Sequence, residues 1–284
     1  MKRTMAGCAC NILVLAVLHF VSKAAIAAPS TFQERFTDIT KDKRSVNTEY
    51  SADDVYSRTS PQIAESVYNN LFKDIIIDGK STDIMLILDG SSSMESSGFL
   101  TARKFLARLV SMMPAEKFRD GSIKVSMITY ALSENVIRQF AFSWEYGIYR
   151  EMVRRNVKKA EYQDGYENHG TSALIWASSL FENSSRYTDP ETSKVILYAT
   201  NGHITDDDVL GLNSTRRVAT WLKSNGYKIF TVVPGNDVNR RTIRTISSEP
   251  TIDHVIPVLN SQSVDSLALN IRKEKRGSHH HRTT

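Results

Sequence analysis

Apolar and polar positions alternate in blocks along most of the chain. Residues 84–88 form an unbroken apolar run, which is typical of a central strand buried on both faces of a parallel sheet. Other short runs rich in apolar and β-branched residues predict strands at 122–130, 135–142, 194–200, 227–233 and 253–258. Apolar residues at helical spacing predict helices at 60–74, 98–113, 146–162, 168–181, 215–224, 240–247 and 263–275.

The order of these elements predicts an α/β fold. Strands that alternate with helices favour a parallel sheet, and right-handed crossovers make it doubly wound. A short link joins the strands at 122–130 and 135–142, so we expect a hairpin whose second strand lies antiparallel at an edge. The predicted fold is therefore a doubly wound, mainly parallel central sheet flanked by helices, with one antiparallel edge strand.

The first 27 residues have the form of a secretory signal peptide. Lys2 and Arg3 give a positive start, residues 12–21 are mostly apolar, and residues 25–27 form a small-x-small cleavage site. The apolar segment is shorter than the roughly 20 residues that are needed to span a membrane. We therefore expect a secreted, extracellular protein without a membrane span.

Three segments follow the predicted signal peptide. Residues 28–79 combine a polar leader with an amphipathic helix that starts with Ser60 as its N-cap and either packs against the domain or binds a partner. Residues 80–275 carry the predicted sheet and form the main domain. Residues 276–284 are a basic tail with three adjacent histidines, which we expect to be unstructured, although such histidines could bind a transition metal weakly.

The composition is that of a folded globular protein, and the charge gives little support for nucleic-acid binding. The chain has 284 residues, of which 41% are hydrophobic and 24% are charged. Both cysteines, Cys8 and Cys10, lie in the signal peptide, so the mature chain has none. Loss of Lys2, Arg3 and Lys23 reduces 36 basic residues to 33 against 31 acidic ones, and the net charge falls from +5 to +2.

The predicted helix at 146–162 is strongly basic. It carries Arg150, Arg154, Arg155, Lys158 and Lys159. This composition favours a solvated helix face, and a patch for an anionic ligand is the alternative.

The strand at 84–88 ends in a loop of small and acidic residues. Asp89, Ser91 and Ser93 offer hard oxygen donors, which magnesium, calcium and manganese prefer. A loop at the carboxyl end of a sheet strand is also where open α/β folds place ligands. A serine-rich turn that merely ends the strand is the alternative interpretation.

The Asp-x-Ser-x-Ser spacing resembles the metal-ion-dependent adhesion site of von Willebrand factor type A domains, and the resemblance covers residues 81–275. It implies that Ser91 and Ser93 are direct ligands and that Asp89 anchors the ion through water. Thr171, which follows Gly170, matches the loop that supplies a threonine ligand in this family.

A third landmark departs from the family pattern. Asn201, in Thr200-Asn201-Gly202, stands where the family has aspartate. An amide oxygen can still accept a hydrogen bond from a metal-bound water, but the site loses one negative charge. Asp206, Asp207 and Asp208 could compensate for this charge, and we expect them to cap the next helix.

The resemblance implies adhesion and not catalysis. Its cation is Mg²⁺ first, with Mn²⁺ or Ca²⁺ as alternatives, and an acidic side chain of an extracellular protein partner completes the metal's shell. A structural matrix module with a degenerate metal site is the second hypothesis, and Asn201 favours it. Asn183-Ser184-Ser185 and Asn213-Ser214-Thr215 are N-glycosylation acceptor sequences, which are compatible with secretion.

A metal-assisted hydrolase is the third and least favoured hypothesis. The sequence has no Gly-x-Ser-x-Gly elbow, no His-Glu-x-x-His helix and no cysteine in the mature chain. His169 and His203 flank the predicted site, and we interpret them as loop-packing or surface histidines. The sequence identifies no base that would activate water beside the ion.

Overall fold

The computed structural model describes residues 52–72, 80–131, 137–140, 142, 150–206 and 214–280. The predicted signal peptide and most of the polar leader lie outside these residues. Within the described part of the chain, no helix is long and apolar enough to cross a membrane.

Strand β1 (Ser81–Asp89) is the centre of the sheet. It pairs in parallel with β2 (Ile123–Tyr130) on one side and with β4 (Thr192–Ala199) on the other. Its five residues from Ile84 to Leu88 are all fully buried. The apolar run therefore forms the buried central strand that its pattern predicts.

The remaining strands extend the sheet on both sides. β5 (Tyr227–Pro234) and β6 (Val255–Val258) continue the parallel pairing beyond β4. β3 (Ile137–Phe140) lies beside β2 and runs antiparallel to it. Among the described residues the strand order is β3-β2-β1-β4-β5-β6. The chain thus winds outward from β1 in both directions, which confirms the doubly wound, mainly parallel fold. The strand order reverses between β1 and β4, which is the position where open α/β sheets bind ligands.

Helices cover both faces of this sheet. Those in the described residues are α1 (Ala52–Ser57), α2 (Ser60–Val67), α3 (Glu95–Met112), α4 (Ala115–Arg119), α5 (Arg150–Lys159), α6 (Gly170–Glu182), α7 (Ser214–Ser224), α8 (Arg240–Ile246), α9 (Thr251–His254) and α10 (Ser261–His280). Helices α2, α3, α5 and α10 share one hydrophobic cluster with Ile84, Leu86 and Leu88 of β1. α6 contacts β1 and β2, and α7 contacts β5.

The N-terminal helix packs against the domain. Ile63, Ala64 and Val67 of α2 are buried, and α2 contacts α10. Its N-cap is Thr59 and not Ser60, because the Gln62 side chain turns back and its Oε1 accepts from the Thr59 backbone N–H at 2.9 Å. A one-turn π-helix, Tyr68–Phe72, continues α2.

The structure differs from the predicted elements at several places. The last strand begins at Val255 and not at 253, because Pro250 opens the short helix α9, whose Asp253 N–H donates to the Pro250 carbonyl at 3.0 Å. α10 continues past 275 to His280, so the backbone of the predicted tail is helical over that stretch. α1 forms within the polar leader, where no helix was predicted.

A buried ion pair fixes the start of the central strand. Asp83 on β1 forms a close charge-assisted hydrogen bond with Arg186, and the two side chains are only 2% and 14% exposed. The second Asp83 oxygen accepts from Ser184 Oγ at 2.8 Å. Arg186 also donates to the Gly121 carbonyl at 2.7 Å, so the pair ties β1 to the turn before β2 and to the loop after α6.

We expect Asp83→Ala to lower the free energy of unfolding by about 3–5 kcal/mol, because it leaves the Arg186 charge buried without its partner. Urea unfolding of the purified protein measures the loss. Glu191→Ala is the matched control, since Glu191 pairs with Lys80 at 3.7 Å on the surface, and its loss should stay below about 1 kcal/mol. Equal losses in the two variants would contradict the prediction.

Candidate functional site

The loop after β1 is folded around the Asp89 carboxylate. Asp89 is fully buried, and its Oδ1 accepts from the Ser91 backbone N–H at 2.9 Å and from Ser91 Oγ at 2.7 Å. Gly90 N–H donates to the Tyr130 carbonyl at 2.7 Å, which holds the loop against the end of β2. A single 3₁₀ turn, Ser92–Met94, then leads into α3. Asp89 therefore sets the path of the chain as well as the charge of the site.

Asn201 joins the same cluster from the end of β4. Its Nδ2 donates to the Ser93 carbonyl at 2.6 Å, and its Oδ1 lies 3.4 Å from Ser93 Oγ. The Ser91 and Ser93 hydroxyls lie 3.0 Å apart. The structure therefore brings together four of the five predicted site residues, Asp89, Ser91, Ser93 and Asn201.

Thr171, the fifth predicted residue, lies in the first turn of α6. Its backbone N–H donates to Asp206 Oδ1 at 3.1 Å, and its Oγ1 lies 2.7 Å from Thr215 Oγ1. Ser172 donates to Asp206 Oδ2 through both its N–H, at 2.8 Å, and its Oγ, at 2.9 Å. These contacts direct the Thr171 hydroxyl towards α7, and its role as a metal ligand stays a prediction.

Asp206 caps the helix that precedes it in the chain. The prediction that it caps the following helix was wrong, because its carboxylate accepts from the first-turn N–H groups of α6. Asp207 and Asp208 lie outside the described residues.

Asn168 is the site residue that the sequence reasoning missed. Its Nδ2 lies 2.7 Å from Asp89 Oδ2, 3.1 Å from Ser91 Oγ and 3.5 Å from Ser93 Oγ. The residue is only 1% exposed, and its buried Oδ1 has no hydrogen-bond partner in the described part of the chain. The amide therefore points its hydrogens at three oxygens of the predicted metal site. Asparagine is common in polar loops, so the sequence gave no sign that Asn168 contacts the site.

The Asp89 charge is balanced by neutral donors. Besides the Ser91 and Asn168 groups, Thr200 Oγ1 donates to Asp89 Oδ2 at 2.7 Å. Burial raises the pKa of the Asp89 carboxyl, and these hydrogen bonds oppose the rise. Tyr130 and Tyr198 lie behind the site with their hydroxyls 2.6 Å apart, and burial together with the nearby Asp89 charge holds both tyrosine pKa values well above their usual range.

The oxygen atoms of this cluster are of the kind that can bind a hard divalent cation. Carboxylate, hydroxyl and amide oxygens are the ligands that Mg²⁺, Ca²⁺ and Mn²⁺ prefer. The set holds a single carboxylate, and no group of three or more His, Cys, Asp or Glu among the described residues could hold a metal ion. Any cation would therefore depend on the hydroxyl and amide oxygens, which bind more weakly than carboxylates.

Close packing places the loop before α6. A Cβ added to Gly170 would lie 2.4 Å from Tyr198 Oη and 2.7 Å from Ile204 Cδ1, so only glycine allows this approach. The loop histidine His169 is buried and has its Nε2 2.6 Å from Glu167 Oε2. His203, which is partly exposed, has its Nε2 3.3 Å from Asp237 Oδ1.

The chain is similar to extracellular-matrix proteins in sequence. It is 27% identical to Matrilin-1 of Mus musculus over 199 residues, which cover 69% of this chain and 36% of the relative. It is 24% identical to the Collagen alpha-1(VI) chain of Gallus gallus over 165 residues, which cover 58% of this chain and 15% of the relative. The chain thus spans about a third or less of the length of these two relatives.

The fold is similar to that of solved structures. One of proximal thread matrix protein 1 from the mussel byssus matches with a TM-score of 0.55 and 15% identity, covering 68% of this chain and 47% of that one. A second structure of the same protein matches with a TM-score of 0.55 and 14% identity. In that structure zinc occupies the metal-ion-dependent adhesion site (MIDAS) motif. The family model for the von Willebrand factor type A domain matches residues 83–270, and this chain belongs to that family.

Proposed function

We propose that this chain is a secreted protein that binds a protein partner of the extracellular matrix through a divalent cation held at the Asp89 loop. The observation that carries the proposal is the convergence of Asp89, Ser91, Ser93, Asn168 and Asn201 at the carboxyl ends of β1 and β4. One buried carboxylate with only neutral donors around it favours a positive partner. The proposed function is binding and not catalysis.

Each residue has a defined task in this proposal. Ser91 and Ser93 would hold the cation through their hydroxyls, Asp89 and Asn201 would anchor it through water, and Thr171 would add its hydroxyl from the start of α6. The cation, Mg²⁺ with Mn²⁺ or Ca²⁺ as alternatives, supplies a coordination position that accepts an acidic side chain of the partner. The solved neighbour with a zinc-occupied MIDAS motif supports a cation at this place in the fold.

Asn168 competes with the cation for the same oxygens. Its NH₂ group donates towards Asp89, Ser91 and Ser93, and so satisfies lone pairs that a cation would need. The amide therefore keeps the loop organised in the absence of a cation and lowers the net gain from binding one. We expect this chain to hold its cation less tightly than a site with two carboxylates.

Secretion and a matrix partner are supported by the relatives and by the form of residues 1–27. Matrilin-1 and the Collagen alpha-1(VI) chain are matrix proteins by name. Asn183 of one acceptor sequence for N-glycosylation is exposed at the end of α6, and Asn213 of the other lies outside the described residues. Under this proposal the protein accumulates in the medium of expressing cells with its N-terminus near residue 28 or 29.

A structural matrix module without a cation is the second candidate. The hydrogen bond from Asn201 Nδ2 to the Ser93 carbonyl favours it, because aspartate could not make that bond. In this alternative the two amides of Asn168 and Asn201 replace the cation permanently. The two candidates differ in their response to added cations.

We expect Asn168→Ala to lower the free energy of unfolding in EDTA by about 1.5–3 kcal/mol, because Asp89 loses a buried donor to its charge. Saturating Mg²⁺ should recover part of the loss, since the alanine no longer competes with the ion. Urea unfolding with and without Mg²⁺ measures both effects. The matched control is Asn225→Ala, which removes an exposed amide that donates to the Trp221 carbonyl at 2.8 Å. A loss no larger than that of the control would refute the role of Asn168.

We expect Asn201→Asp to destabilise the cation-free protein and to tighten cation binding. In EDTA an aspartate oxygen replaces the Nδ2 that lies 2.6 Å from the Ser93 carbonyl, and the repulsion should destabilise the protein by about 1–3 kcal/mol. With cation present, the added charge should tighten binding about tenfold, or about 1.4 kcal/mol.

Calorimetric titration of the wild type and the variant with Mg²⁺, Mn²⁺ and Ca²⁺ measures the affinities. A cation that binds only the folded wild type must stabilise it by about 2.7 kcal/mol at a hundredfold excess over Kd. If millimolar cation releases no heat of binding and leaves the melting temperature of both proteins unchanged, the cation part of the proposal is wrong. The structural module is then favoured.

The proposed binding is tested on matrix laid down by cultured cells. Wild-type protein should be retained in Mg²⁺ or Mn²⁺ and released by EDTA. Ser93→Ala removes one proposed ligand, and we expect it to reduce cation-dependent retention about tenfold or more. Asp89→Ala gives a stronger test, but it removes the acceptor of four hydrogen bonds and needs circular dichroism to show that it folds. Equal retention of wild type and Ser93→Ala, with or without EDTA, would contradict the proposal.

A further inference from the structure

A trough with basic walls lies on the outer side of α3, between α5 and α10. Its cavity has a volume of about 360 Å³. Ala107 and Ser111 of α3 form the floor, and their short side chains, one helical turn apart, leave room above them. The walls carry basic side chains from all three helices, namely Lys104, Arg108, Arg150, Arg154, Lys158 and Arg272.

The orientation of α5 aligns three of these basic residues along the trough. Val153 and Val157 are buried in the hydrophobic cluster and fix which face of α5 points inward. Arg150, Arg154 and Lys158 follow each other at intervals of four residues, so they form one row. The rise of an α-helix spaces them about 6 Å apart, which gives a row of about 12 Å.

The positive charge of the trough exceeds its acidic partners. Glu151 contacts Arg154 Nε at 2.6 Å and Arg150 Nη2 at 3.4 Å. Asp265 contacts Lys104 at 2.7 Å and Arg108 at 3.2 Å. Counting only residues that the structure describes, six basic side chains thus face two carboxylates.

Two of the six basic side chains have no acidic partner in the described part of the chain. Among the residues that the structure describes, Lys158 and Arg272 make no ion pair. Both are exposed, so an added anion can reach them.

We propose that this trough binds a strand of sulfated polysaccharide. The row of cations is longer than one sulfate or phosphate ion, so a ligand with repeated anionic groups matches it better than a single ion. None of the described residues that line the cavity is aromatic, so they offer no stacking surface of the kind that single-stranded nucleic acids use. Arginine side chains can hold oxyanions through paired N–H donors, and α5 and α10 supply such donors from both walls.

This inference goes beyond the proposed function and does not need the cation. The trough lies over the C-terminal half of α3, and the Asp89 loop precedes the start of that helix. The polysaccharide strand would be held by charge alone, so its affinity should fall steeply with salt.

The test uses immobilised heparin and the full secreted chain in EDTA at about 0.15 M ionic strength. Arg154→Gln with Lys158→Gln removes two charges from the trough. Arg155→Gln with Lys159→Gln is the matched control, because it removes two exposed charges from the same helix outside the trough. We expect the trough pair to weaken binding at least about tenfold and to lower the slope of log affinity on log salt by about two. The control pair should change affinity by less than about twofold.

Four outcomes would overturn the proposal. These are equal losses in the two variant pairs, no binding of the wild type at this ionic strength, full binding to desulfated heparin, or a DNA duplex bound as tightly as heparin. Thermal unfolding of both pairs shows whether a loss reflects misfolding, and Arg272→Gln supplies a second test from the opposite wall. Heparin binding should be unchanged in Ser93→Ala and in EDTA, so failure of the cation proposal and failure of this one remain distinct.

Discussion

The burial of the Asp89 carboxylate at the end of the central strand is the constraint on which the site depends. A charge removed from water must find donors, and here they come from three separate stretches of chain that meet at the carboxyl ends of β1 and β4. Ser91 follows in the same loop, Asn168 precedes α6, and Thr200 directly follows β4. The carboxylate therefore fixes the positions of these loops relative to one another.

This arrangement also explains why the site is polar but nearly free of charge. Tyr130 and Tyr198 stand behind Asp89 as neutral phenols, and their hydroxyls bond to each other. Asn168 and Asn201 place amides where a second carboxylate would strengthen cation binding. Each amide satisfies oxygens of the loop directly, and so favours stability of the cation-free protein over affinity for a cation. A second carboxylate would raise the affinity for a cation and lower the stability of the cation-free protein, because like charges repel when no ion lies between them.

The local part of the site could be predicted from the sequence, and the distant part could not. Asp89, Ser91 and Ser93 share one loop after an unmistakable buried strand, so their proximity follows from spacing alone. Asn201 could be placed because β4 pairs in parallel with β1, and both strands end at the same edge. Whether Asn168 or Thr171 contacts the Asp89 loop depends on how the loop before α6 packs, and the sequence does not show this.

Contacts remote in sequence decide that packing. Asp206 captures the N–H groups of the first turn of α6, and Gly170 approaches Tyr198 closely. These contacts turn the Thr171 hydroxyl towards Thr215 and leave Asn168 facing Asp89. The start of β6 at Val255 has a local cause instead, because Pro250 opens a helical turn directly before the strand.

Helix α3 separates the two proposed binding surfaces while belonging to both. Its start follows the Asp89 loop, and its C-terminal half carries Lys104 and Arg108 at the trough. Fifteen residues separate Ser93 from Arg108, which corresponds to about 22 Å along a helix. The screening length at physiological ionic strength is about 8 Å, so charge at one surface has little direct effect on the other.

A rigid, buried helix could still couple the two surfaces by moving as a unit. However, α3 packs through Phe99, Phe105 and Leu109 in the hydrophobic cluster, and any such movement would disturb that packing. The two surfaces should therefore bind their ligands independently.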